Sequence, residues 1–129
     1  MTTIKICTDI PQSKVLTEIL PRESADNVIV SFGNRDGFKT VVMPFETFNT
    51  INTPFSDIRE VIPCWSLAAL LEVLPCKLQI VLAINDFKED RKEKYVIGSV
   101  EHNKYDYYAD NPVDACYELI LKLNELKLL

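Results

Sequence analysis

Apolar positions along this chain change period several times, and each change marks an element. In residues 9–20, Val15, Leu16, Ile19 and Leu20 form pairs four apart that share one side of a helix. Asp9 and Gln12 have the spacing of a capping box, Pro11 suits the first turn, and Pro21 stops the segment. Residues 27–32 (NVIVSF) and 38–43 (FKTVVM) are β-branched and aromatic runs. The loop between them, residues 33–37, is rich in residues that tolerate positive φ, which predicts a hairpin.

Residues 44–63 hold no clean period. Phe45, Phe48, Phe55 and Ile58 recur near helical spacing, but Thr, Asn and three prolines oppose a long helix. An irregular connection with room for one short helical turn is expected there. In residues 66–74 (SLAALLEVL), Leu67, Leu70, Leu71 and Leu74 fall at i, i+3, i+4 and i+7. Ser66 is the N-cap, Pro75 the stop and Glu72 the single charge, so this helix is expected to be buried almost all round.

Residues 77–84 (KLQIVLAI), 95–100 (YVIGSV) and 105–109 then predict a three-stranded meander, with the polar DFKEDRKEK as its first turn. Asn111 as N-cap, Pro112 in the first turn and Asp114 at the positive end of the dipole open a last helix that runs to about Lys127. Val113, Cys116, Tyr117, Ile120, Leu121 and Leu123 lie opposite a narrow wet stripe of Asp114, Glu118, Lys122 and Glu125, with Glu118 and Lys122 in the favourable orientation. The order α-β-β-α-β-β-β-α predicts an α+β fold, an antiparallel sheet packed by helices. Without repeats or a linker, residues 1–129 are expected to form a single domain.

Composition narrows the function. The chain carries 19 acidic and 14 basic residues, a net charge of -5. Phosphate neutralisation drives nucleic-acid binding, and anionic lipid attracts basic segments, so neither partner is expected. No run is long enough for a membrane span, and MTTIKICTDIPQSK lacks the charged start and apolar run of a signal peptide. A cytoplasmic protein with free thiols is the expectation.

Candidate chemistry is sparse. Cys7, Cys64, Cys76 and Cys116 form no C-x-x-C pair, and Cys116 falls on the apolar side of the last helix as a small hydrophobe. His102, the single His, sits in a polar turn. Of the carboxylates Asp106, Asp110 and Asp114, the last two flank a helix start, where capping explains them. With three glycines, neither a dinucleotide loop nor a Walker A can be written. No metal, cofactor, small molecule or catalytic residue is therefore assigned, and the balance leans away from an enzyme.

Tyr105 and Tyr107 share a strand face, which suits cross-strand packing. The connection bearing Phe45, Phe48 and Phe55 is the candidate interaction patch, because long irregular segments are disproportionately functional. The terminal NELKLL is expected to dock Leu128 and Leu129 on the core or against a partner.

Three segments carry a resemblance. CTDIPQSKVLTEI with ESAD, IPCWSLAALLEVLP (residues 62–75) and DNPVDACYELILKLNELKLL (residues 110–129) resemble a family of short Bacteroidetes proteins without assigned activity, often encoded in prophage or mobile regions. The resemblance implies an intracellular bacterial protein with an accessory role and transfers no functional residue. Together these readings point to a protein-interaction domain with a protein partner or a homodimer. A small enzyme or ligand-binding domain with an unrecognised site, or a structural phage component, is the alternative.

Overall fold

The computed structural model describes residues 5–34, 37–50, 58–85, 92–99 and 106–129. Helix α1, Ile10–Ile19, starts on the capping box: the Asp9 side chain accepts from the Gln12 amide at 2.9 Å, and Gln12 Oε1 accepts from the Asp9 amide at 3.1 Å. Leu16 and Leu20 face the core, while Val15 stays largely outside. Strands β1, Asn27–Asn34, and β2, Gly37–Pro44, form the expected hairpin. Pairing extends to Asn34 and Gly37, so the connection is shorter than the sequence pattern implied.

Within 44–63 the expected short helical turn forms, but a strand replaces the irregular stretch after it. Helix α2 spans Phe45–Thr50, and strand β3 spans Ile58–Cys64. Antiparallel pairing on β1, from Asn27 opposite Cys64 to Phe32 opposite Ile58, selects the extended conformation that Arg59, Glu60 and Pro63 disguise locally. β3 lies at the edge of the sheet β2-β1-β3, where a proline costs no ladder bond.

Helix α3, Leu67–Val73, is capped by Ser66 as expected, its hydroxyl accepting from the Ala69 amide at 3.2 Å. Its burial is one-sided: Ala69 and Leu70 are buried, Leu71 is exposed. Pro75 carries the chain into a 3-10 turn, Cys76–Leu78, so β4 begins later than expected and spans Ile80–Ile84. Strands β5, Tyr95–Ser99, and β6, Tyr107–Ala109, complete the meander β4-β5-β6.

The last helix, α4, runs Pro112–Glu125. Asn111 caps its start through its side-chain oxygen, which accepts from the Asp114 amide at 2.8 Å. At its end the Leu128 amide reaches back to the Leu123 carbonyl at 2.8 Å and Lys127 takes a left-handed φ of 59°, a Schellman motif without glycine. Leu128 thereby packs on the core, and Leu129 is half-exposed. On the wet stripe Lys122 pairs with Glu125 at 3.6 Å.

The resulting α+β domain holds two antiparallel sheets. Its main core joins Leu16, Trp65, Leu70, Ile97, Cys116, Leu119 and Ile120 between the helices and β5. A second, smaller cluster lies on the first sheet: Cys7, Ile29, Ile62 and Cys64, with Ile10 of α1 against it. Among the described residues no helix is long and apolar enough to cross a membrane.

Candidate functional site

Residues 5–9 link distant elements. Cys7 forms an isolated antiparallel bridge with Ser66, and the Thr8 amide donates to the Trp65 carbonyl at 2.9 Å. Lys5 Nζ donates to Asp9 at 3.0 Å and to Asp114 at 2.7 Å, joining this segment to α4. Asp114 also accepts from Gln12 at 2.8 Å and from the Asn111 side chain at 2.7 Å. Partial burial pushes the Asp114 carboxyl up, but these hydrogen bonds and the Lys5 charge outweigh it and hold it below the ordinary carboxylate value. For Lys5, burial acts downward and its two carboxylate partners prevail, so its value is raised.

Asp26 plays a similar part beneath α3. The Ser66 amide donates to one carboxylate oxygen at 2.9 Å, and the Ser66 hydroxyl donates to the other. Burial raises the Asp26 value, and hydrogen bonds from Ser66 and Asn27 bring it below the usual range.

The acid limb of stability follows from these two carboxylates. Their folded values lie below their unfolded ones, so their contribution is complete above the unfolded carboxylate range and is lost as pH falls through the folded values. Thermal melts are expected to drop below about pH 4, and Asp114→Asn should flatten part of that drop. An unchanged acid limb in the variant would remove Asp114 from this role. Lys5, raised, contributes below its ordinary value and loses that contribution only in strong alkali.

The expected interaction patch is divided. Phe45 and Phe48 share α2 and are half-buried, and Phe55 lies outside the described residues. The guanidinium of Arg22 sits 4.2 Å from the Phe45 ring centre, so one face of that ring already has a partner. A cleft of about 470 Å³ lies beside it, lined by Ala25, Asp26, Asn27, Pro44, Phe45 and Glu46. Tyr107 packs against the main core; Tyr105 and His102 lie outside the described residues.

The cysteines occupy unlike places. Cys116 is fully buried in the main core, and burial pushes its thiol up to about 12. Cys76 is exposed. Cys7 and Cys64, far apart in sequence, meet in the small cluster. Among the described residues, no three metal-ligating side chains gather.

One surface was not singled out by the sequence pattern. The sheets present four edges among the described residues: β2, β3, β4 and β6. β2 carries Lys39 and ends on Pro44, and β3 carries Arg59, Glu60 and Pro63. Such residues blunt an edge against further pairing. β6 is described over only three residues. β4, IVLAI, has neither charge nor proline. Helix α4 packs over β5 and β6, leaving β4 toward the margin, where Val81 is 50% exposed and Ile84 68%.

No family model matches the chain, and no curated protein or solved structure is significantly similar to it.

Proposed function

We propose that this chain is a small intracellular, non-enzymatic protein-interaction domain that pairs with a second copy of itself through β4. The observation that carries this reading is the self-complementarity of the open strand. Two copies of Ile80–Ile84 laid antiparallel about a two-fold axis set Ile80 against Ile84, Val81 against Ala83 and Leu82 against Leu82. Every facing pair is apolar, no like charges meet, and a two-fold axis uses the same patch on both copies. Edge-to-edge pairing would join the two meanders into one sheet by main-chain hydrogen bonds.

The perturbed carboxylates favour binding over catalysis, since Asp26 accepts from the Ser66 amide at the start of α3 and the Asp114 carboxylate accepts from Lys5, Gln12 and Asn111 at the start of α4. The Phe45, Phe48 and Phe55 connection is the proposed contact for a non-identical protein partner, a weaker one because Arg22 already stacks on Phe45. The bacterial accessory role rests on the resemblance of both chain ends and the tryptophan helix to short Bacteroidetes proteins, often encoded in prophage or mobile regions.

An interface confined to one short strand falls below the roughly 1,200 Å² of stable complexes. A dissociation constant in the micromolar range, a binding free energy of about -8 kcal/mol, is therefore expected. Light scattering across micromolar concentrations should show the mass climbing from 14.8 kDa toward twice that value. A constant 14.8 kDa at every concentration would defeat the self-pairing.

A further inference from the structure

The small cluster on the first sheet holds two thiols whose proximity nothing in the interaction reading uses. Cys7 is bridged to Ser66, two residues past Cys64, which ends β3, and Cys7 and Cys64 lie in one small cluster. They share that cluster with Ile29 and Ile62, and neither thiol is in a disulfide. Cys64 is fully buried. Cys7 is 7% exposed and forms part of the wall of an open groove of about 510 Å³ that also includes Lys5, Ile10, Pro11, Ile29 and Val42. The bridge to Ser66, the Thr8–Trp65 hydrogen bonds and the Lys5 contacts hold Cys7 in the cluster with Cys64.

We propose that Cys7 and Cys64 form a thiol pair that a small peroxide oxidises stoichiometrically to a disulfide, with Cys7 as the attacking sulfur and Cys64 as the resolving one. The Cys7 sulfur attacks one peroxide oxygen and the O–O bond breaks. With hydrogen peroxide the leaving hydroxide takes a proton and departs as water, and Cys7 becomes a sulfenic acid. The Cys64 sulfur then attacks the Cys7 sulfur, the S–O bond breaks, and the hydroxide leaves as water with the Cys64 proton. Two thiols lose two electrons, and the peroxide gains them. The order of roles follows from the environment. Cys7 borders the open groove and Cys64 is fully buried, so Cys7 meets the peroxide first. The neighbouring Cys64 thiol lowers the Cys7 value, with burial and the Asp26 charge acting against it and the Lys5 ammonium assisting. The neighbouring Cys7 thiol and burial raise the Cys64 value. Thiolate character beside a resolving thiol is what makes a cysteine reactive toward peroxide.

The other thiols lack this arrangement. Cys76 is exposed with no second cysteine beside it, and Cys116 lies in the main core. This inference does not depend on pairing through β4.

The test treats the intact protein with stoichiometric hydrogen peroxide, alkylates it under denaturing conditions, and maps the peptides by mass. The expected result is a linked pair of peptides containing Cys7 and Cys64, reversed by dithiothreitol, with Cys116 still alkylated. In Cys64→Ser, Cys7 should stop at the sulfenic acid and be trapped by dimedone. Should that variant not fold, the maps of the wild type and of Cys76→Ser decide alone. Oxidation confined to Cys76, or four thiols that all remain open to alkylation, would overturn the proposal.

Discussion

Trp65→Ala is expected to lower stability by about 3–5 kcal/mol, the range for removing a large aromatic from a packed core. Trp65 is 0% exposed and stands between β3 and α3. Its indole Nε1 donates to Ser24 Oγ at 2.9 Å, and Ser24 donates in turn to the Pro21 carbonyl at 2.6 Å. Its backbone amide donates to Thr8 Oγ1 at 3.1 Å. Four regions therefore converge on one residue: the N-terminal segment, the turn after α1, β3 and α3. Of these links, the alanine variant keeps the backbone ones and loses the ring and its hydrogen bond. A melting temperature roughly 15 °C lower is expected for a domain of this size. Trp65 is the single tryptophan, so circular dichroism rather than fluorescence must follow the variant. A loss below about 0.5 kcal/mol, the scale of a typical surface change, would contradict this placement of the ring.

Val81→Lys is expected to weaken self-pairing at least tenfold, about 1.4 kcal/mol. In the proposed two-fold arrangement Val81 faces Ala83 of the second copy, so the two new lysines stand diagonally across the axis, roughly 7–8 Å apart. Natural edge strands use lysine in this way against pairing. Because Val81 is half-exposed in the single chain, the substitution leaves the main core intact, and the melting temperature of the dilute protein should hardly move. Sedimentation equilibrium of both proteins checks this. Equal association constants would place the contact elsewhere.

The elements that were legible in the sequence are those with local signals. Asp9 and Gln12 fix the start of α1, Ser66 that of α3, and Asn111 with Pro112 that of α4, each through bonds that span three residues. β3 was not legible, because what makes it a strand is β1, and Arg59, Glu60 and Pro63 interrupt any alternation. The start of β4 was placed too early because the turn after Pro75 takes up Cys76–Leu78. The apolar run of β4 itself reads like an interior strand. Its place at an edge is set by the order β4-β5-β6, which no local pattern encodes. The same holds for Cys7 and Cys64, which have no motif spacing and meet only because the N-terminal segment bridges to Ser66. Phe45 illustrates the converse: its spacing drew attention, yet the Arg22 contact that occupies it comes from another element.

Self-pairing at β4 is tested most directly by backbone hydrogen exchange at two protein concentrations, one far below and one far above the micromolar range. The amides of Ile80–Ile84 that point away from β5 should exchange fast in the dilute sample and slowly in the concentrated one. Those on the open side of β2, an edge that carries Lys39, should exchange alike in both. Exchange in β4 that does not depend on concentration would contradict the account.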